Sequence, residues 1–146
     1  MTKDQLKTIL NNLYTYSQKA IEENEIPVAA CLVIEDKVFY SFNHVEKKNN
    51  PFSHAEIEVI EEALKNTNSR YLKNSTLIVT LEPCLMCMGA ILSARISKIV
   101  FGAFDNRFGT RQFAGLYNFN HKCEIVGGVL EEECSKILSE FFKKLR

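Results

Sequence analysis

The chain has 146 residues, of which 46% are hydrophobic and 25% charged, and its 18 basic and 18 acidic side chains cancel. This length and composition predict one globular domain over residues 1–146. The balanced charge lacks the basic excess that is typical of a dedicated nucleic-acid binder, so a nucleic-acid partner would have to bind a local basic patch. No apolar run reaches the roughly 20 residues that cross a bilayer, and we expect no membrane partner.

The N-terminal segment is amphipathic and lacks the apolar middle and cleavage site of a signal peptide, which favours a cytoplasmic location. Thiols stay reduced in that compartment, and an odd count of five cysteines suits a disulfide framework poorly. Both expectations count against a disulfide between Cys84 and Cys87, the pair in the segment TLEPCLMCMGA.

Apolar side chains at helical spacing predict an amphipathic helix over residues of about 3–23. The next two segments, residues 26–36 and 38–45, are predicted strands of an antiparallel hairpin. The following EKKNNPFS is predicted to be a loop, with Ser53 available to cap the helix that opens at His54.

Strands and helices alternate in the second half of the chain. STLIVTLE is predicted to be a strand buried on both faces, followed by a helix with Pro83 at its first position. A strand over 97–105, an irregular stretch over 106–121, a short strand within 123–130 and a closing helix from Glu131 complete the chain. The alternation implies a parallel sheet in this half. The predicted fold class is α/β, a three-layer α/β/α sandwich with a mixed five-stranded sheet.

Two of the predicted helices begin with residues suited to a metal site. One opens with HAE, which contains His54 and Glu56, and the other places Cys84 and Cys87 on one helical face. Helix N-termini favour thiolates, and one histidine with two thiolates would make a three-ligand zinc site with an open position. Glu56 would reach the metal-bound water and transfer its proton.

Each piece alone has an ordinary structural explanation. A cytosolic C-x-x-C is often a redox pair, and Glu56 could be the capping-box partner of Ser53. Taken together, H-x-E followed by P-C-x-x-C is the established signature of zinc-dependent nucleobase deaminases, so the assignment matches a known pattern.

Longer segments resemble the bacterial tRNA-specific adenosine deaminases of the cytidine deaminase-like superfamily. They are EIPVAACLV, SHAEIEVI, TLIVTLEPCLMCMGAILSARISKIVFGAFD and LSEFFKKLR. The resemblance implies a cytidine deaminase-like fold, a homodimer and one zinc ion per chain, held by His54, Cys84 and Cys87. It also implies deamination of adenosine to inosine at the wobble position of a tRNA anticodon, with Glu56 as proton shuttle while zinc-bound hydroxide attacks C6.

Three substrate contacts are implied by the same resemblance. Asn43 matches a family asparagine that contacts the nucleoside, the backbone of Ala55 is expected to contact the flipped base, and Asp105 matches the family aspartate. From residue type alone, Asn43 is better explained as a strand-end turn residue. The chain departs from the family at Phe104, where a basic residue is usual, and in the bulky, aromatic segment NRFGTRQFAGLYNF.

Three hypotheses follow. The first is a tRNA adenosine deaminase, and the second is a deaminase of free guanine, cytosine or a small nucleoside, favoured by the neutral charge and the altered segments. The third is a zinc-stabilised RNA-binding module without catalysis, against which Glu56 argues because a structural site needs no proton shuttle. Aromatic residues in 106–121 lie beside Arg107 and Arg111, which suits RNA stacking but also a core or dimer interface.

Overall fold

The protein, described by a computed structural model over residues 1–113 and 122–145, is built around one five-stranded sheet. The elements, in chain order, are α1 Lys3–Glu22, β1 Ala29–Ile34, β2 Lys37–Phe42, α2 Val45–Lys48, α3 Ala55–Thr67, β3 Ser75–Leu81, α4 Leu85–Ser93, β4 Lys98–Ala103, a 3₁₀ turn Thr110–Phe113, β5 Glu124–Val126 and α5 Glu131–Lys144. The predicted irregular stretch 106–121 extends beyond the described residues, since 114–121 lie outside them.

The sheet has the strand order β2-β1-β3-β4-β5. β1 is antiparallel to both β2 and β3, whereas β3, β4 and β5 are mutually parallel. The predicted hairpin and the predicted parallel second half are both confirmed. Because β3 and β4 run in the same direction, their carboxyl ends meet at one edge, and α4 begins directly beyond that edge.

Helices cover both faces of the sheet, as predicted for a three-layer sandwich. On one face, Ile78 of β3 packs with Leu10 and Leu13 of α1 in one apolar cluster. On the other face, Leu77 joins a larger cluster that includes Val59 of α3 and side chains of α4. Alternation along β3 therefore sends successive side chains into two different cores. Within the described part of the chain, no helix is long and apolar enough to cross a membrane.

The structure corrects the prediction that residues 46–53 form a loop throughout, because the helix α2 extends from Val45 to Lys48. The cause is a distant residue. Glu25, which is 1% exposed, accepts hydrogen bonds from the backbone N–H groups of Glu46 and Lys47 at 3.0 and 2.9 Å. Those N–H groups would otherwise lack an intrahelical partner, so the buried carboxylate stabilises the first turn.

Two predicted helix starts are also shifted. The N-cap of α3 is His54 and not Ser53, and no side chain of the cap bonds a backbone N–H. The N-cap of α4 is Cys84, so Pro83 precedes the helix and does not occupy its first position. The carbonyl of Pro83 instead accepts a hydrogen bond from the N–H of Thr110. Both shifts place a candidate metal ligand at the cap itself.

Candidate active site

The starts of α3 and α4 bring three candidate ligand atoms together. The Nδ1 atom of His54 lies 3.7 Å from Sγ of Cys84 and 3.5 Å from Sγ of Cys87, and all three atoms lie within 4.8 Å of one another. Nitrogen and sulfur ligands of a tetrahedral zinc ion are about 3.6 Å apart at usual bond lengths. The donor set and its spacing therefore fit one tetrahedrally bound ion with a further position for another ligand.

Local backbone geometry explains why these side chains converge. His54 and Cys84 are both N-caps in extended conformation, with φ and ψ of −67° and 154° and of −76° and 174°. In this conformation the ring of His54 and the thiol of Cys84 face each other, with Nδ1 and Sγ in contact. Cys87 lies one turn into α4 and is buried. All five cysteines are free, so Cys84 and Cys87 are not a disulfide.

The protonation of this cluster already favours a thiolate. A hydrogen bond from Cys87 and the contact with His54 together lower the pKa of Cys84 to about 4, against the opposing effect of burial. The pKa of Cys87 is raised because Cys87 keeps the shared proton and is buried. The hydrogen bond to Cys84 raises the pKa of His54. Cys84 is therefore available as an anionic, soft ligand at neutral pH.

Glu56 follows His54 by two residues and is only 4% exposed. Burial raises the pKa of its carboxyl group above the ordinary value, although its backbone hydrogen bond and His54 oppose the shift. A carboxyl group with a raised pKa can both accept and donate a proton nearer to neutral pH. Glu56 lines the same cavity as His54 and Cys84.

That cavity has a volume of about 1110 Å³, and His54 and Cys84 are the two candidate ligands that line it. Its walls are largely apolar and come from several parts of the chain. The aromatic and aliphatic lining includes Ile26, Phe104, Phe108, Phe141, Phe142 and Leu145. A nucleobase would occupy only a small part of such a space, which leaves room for a much larger ligand.

The implied substrate residues differ in their accessibility. Asn43 lines the cavity, and its Oδ1 accepts a hydrogen bond of 2.9 Å from the N–H of Ala55. The Asn43 amide NH₂ has no hydrogen-bond partner among the described residues, so it is free to donate to a ligand. Ala55 is fully buried and does not line the cavity. Asp105 does line it, and its carboxylate bonds the backbone of its own turn.

Two buried carboxylates near the cavity carry no predicted role from the sequence. They are Glu25, described above, and Glu82, which directly follows β3 and is 2% exposed. For Glu82, the sequence offered one signal, a charged residue at the end of an apolar strand. A buried acidic group at such a place needs hydrogen-bond or ion-pair partners. Which partners those are depends on contacts distant in sequence.

The α/β/α fold, with a His-Cys-Cys group and a buried glutamate at two helix starts, defines a cytidine deaminase-like deaminase. Residues 4–146 match the MafB19-like deaminase family, and the chain belongs to this family. A tRNA-specific adenosine deaminase of Bacillus subtilis (strain 168) is 42% identical over 100% of this chain and 92% of its own length. The resemblance predicted from the sequence is thereby confirmed.

Solved structures agree with this assignment. One solved structure has a TM-score of 0.85 and 32% identity to this chain. It comes from a study of A-to-I editing by tRNA:A34 deaminases at the wobble position of transfer RNA. The match covers 90% of this chain and 99% of the chain in that structure. A guanine deaminase from Nitrosomonas europaea has a TM-score of 0.74 over 90% of this chain and 81% of its own. Its identity is 19%, so that likeness shows the fold alone.

Proposed function

We propose that this deaminase converts adenosine to inosine at the wobble position of a tRNA anticodon, using one zinc ion per chain. The observation that carries the proposal is the convergence of His54, Cys84 and Cys87 beside a cavity that is far larger than a nucleobase and is also lined by the buried Glu56. Support for the substrate comes from relatives whose names specify tRNA adenosine deamination.

His54, Cys84 and Cys87 would hold the zinc ion. Two sulfur ligands and an imidazole nitrogen suit zinc, and two thiolates balance the charge of a divalent ion. A bound zinc ion supplies Lewis acidity that lowers the pKa of a coordinated water towards neutrality. The low pKa of Cys84, about 4, means that this ligand needs little further deprotonation at neutral pH.

Glu56 is proposed to move the protons of the reaction. Its carboxylate takes a proton from the attacking water and delivers it to N1 of adenine as C6 becomes tetrahedral. It then transfers the second proton of that water to the departing amino group, which leaves as ammonia. The overall balance is adenosine plus water giving inosine plus ammonia. The free NH₂ of Asn43 is proposed to donate to the nucleoside, and a contact from Ala55 to the base stays a prediction.

The size of the cavity, about 1110 Å³, favours a polynucleotide over a free base. A base extruded from an RNA loop would lie near Glu56, and the flanking nucleotides would contact the aromatic lining that includes Phe104 and Phe108. A free guanine or cytosine would leave most of that lining without contacts. We further propose a homodimer, with each site close to the dimer interface, and a cytoplasmic location shared with tRNA.

The decisive experiment measures ammonia release by the zinc-loaded protein from an anticodon stem-loop with adenosine at the wobble position. Parallel reactions contain free adenosine, guanine or cytosine, and a stem-loop with guanosine at that position. We expect turnover of the adenosine stem-loop alone and about one zinc per chain. Rapid turnover of a free base with none on RNA would establish the alternative substrate class. RNA binding unchanged by Glu56→Ala, with no turnover of any substrate, would indicate a non-catalytic module.

A further inference from the structure

The rim of the cavity carries an exposed aromatic side chain on a tight turn over residues 105–109. Phe108 lines the cavity and is 56% exposed. The guanidinium of Arg107 lies over its ring, 5.1 Å from the ring centroid. An aromatic ring with a cation against it, at the mouth of a large cavity, has the composition of a site that stacks a nucleobase.

The turn that presents Phe108 is held by its own hydrogen bonds. The Oδ1 atom of Asp105 accepts from the backbone N–H groups of Arg107 and Phe108, both at 3.0 Å. The N–H of Gly109 donates to the carbonyl of Asp105 at 3.1 Å. The backbone on both sides of the ring is thus fixed relative to the cavity, which limits the ordering cost of binding.

A buried carboxylate anchors this turn to the strand that leads to the metal ligands. The side chain of Glu82 accepts hydrogen bonds from the backbone N–H groups of Asp105 and Arg111, each at 3.0 Å, and from Nε of Arg111 at 3.2 Å. A Cβ atom at Gly109 would collide with the Glu82 carboxylate, so only glycine permits this approach. Arg111 also lies 4.2 Å from the ring centroid of Phe104, another wall of the cavity.

We propose that Phe108, backed by Arg107, is a stacking platform for a nucleobase that flanks the reacting adenosine, and that Glu82 and Arg111 position it. The inference rests on the proposed RNA substrate. When one base is extruded towards Glu56, its neighbours lose a stacking partner, and an aromatic ring at the rim replaces it. Arg107 is placed to meet the phosphate beside that base.

The test compares Phe108→Ala, Phe108→Leu and Phe108→Trp in the zinc-loaded protein. The probes are the wobble-adenosine stem-loop and two versions in which the base on one or the other side of that adenosine is removed. Phe108→Ala should weaken binding of the intact stem-loop by roughly 10-fold, the size of one lost stacking interaction. Phe108→Trp should restore binding, whereas Phe108→Leu should not. Ile125→Ala, on β5 and 48% exposed, is the matched control for losing exposed apolar surface.

Removing the base that stacks on Phe108 should abolish the difference between native protein and Phe108→Ala, and removing the base on the other side should preserve it. Equal losses on all three RNAs, or native affinity of Phe108→Ala, would overturn the platform while leaving the deaminase activity intact. Failure of the native protein to deaminate or bind the stem-loop would instead overturn the proposed substrate and the platform with it.

The positioning role of Glu82 has its own readout. Glu82→Gln keeps one acceptor oxygen but replaces the other by a donor that faces the N–H groups of the turn. We expect KM for the stem-loop to rise several-fold with kcat and zinc content unchanged. A fall in kcat with KM constant would contradict a positioning role.

Discussion

Two buried glutamates, Glu56 and Glu82, line the same cavity, and the contacts that surround them differ. Glu56 is 4% exposed, and it takes part in no ion pair of the described residues. Glu82 at the wall has no exposed side-chain surface and forms an ion pair of 3.2 Å with Arg111, besides two backbone hydrogen bonds.

The difference lies in how far each carboxylate is satisfied. Burial without a paired cation raises the pKa of Glu56, which leaves its proton exchangeable. The donors around Glu82 satisfy its oxygens and hold it as a fixed acceptor, which suits a structural anchor. Similar burial therefore suits Glu56 to the proposed proton transfer and Glu82 to holding the backbone of the turn.

Metal removal should produce the largest difference between the reaction that depends on Glu56 and the turn that Glu82 holds. Chelation should reduce deamination to background, because the chemical step needs the Lewis acid. The N–H groups of Asp105 and Arg111 should keep their protection from hydrogen exchange, since Glu82 is not one of the candidate ligands. Activity and amide exchange are measured before and after chelation, and again after zinc is restored. Full activity after chelation, or loss of exchange protection at Asp105 and Arg111, would contradict the different roles assigned to Glu56 and Glu82.

Glu82→Ala should destabilise the fold by about 2 kcal/mol, because it leaves part-buried backbone donors and the half-exposed Arg111 guanidinium without their acceptor. Urea unfolding of the zinc-loaded protein measures the change. The matched control is Glu140→Ala, which breaks an exposed pair with Lys136 and should cost less than about 0.5 kcal/mol. Equal losses in the two variants would mean that the contacts of Glu82 contribute little.

A smaller effect should appear in the pH dependence of stability after chelation. Because the pKa of Glu56 is raised in the folded protein, the folded state holds a proton that the unfolded chain releases above its ordinary pKa of 4.5. The free energy of unfolding should therefore fall as pH rises through this window, and Glu56→Gln should remove that loss. Unfolding is measured between about pH 4 and pH 7, with Glu140→Gln as the control. Parallel curves for Glu56→Gln and Glu140→Gln would contradict this expectation.

Much of the fold follows from local sequence patterns. Apolar spacing predicts α1, and the β-branched run predicts β3, because these elements pack through regular faces. The candidate ligands were also predictable, since His54, Cys84 and Cys87 belong to short motifs at helix starts. Their mutual distances, with His54 presenting Nδ1, needed the three-dimensional structure.

Contacts between distant residues explain what the sequence could not predict. The helix α2 depends on Glu25, more than 20 residues earlier, and the turn over residues 105–109 depends on Glu82. Asn43 bonds the first free N–H of α3, a function that Ser53 was expected to perform as an N-cap. In each case a polar side chain that is distant in sequence accepts hydrogen bonds from backbone N–H groups. Such a partner cannot be predicted from the local spacing of residues.

One measurement tests the division of roles most directly. Single-turnover formation of inosine is followed at saturating stem-loop for zinc-loaded native protein, Glu56→Gln and Glu82→Gln. Loss of the proton carrier should slow the chemical step by about 10²- to 10⁴-fold in Glu56→Gln. Glu82→Gln should retain the native rate once RNA is saturating. A native rate in Glu56→Gln, or equal losses in both variants, would contradict the assignment of proton transfer to Glu56 alone.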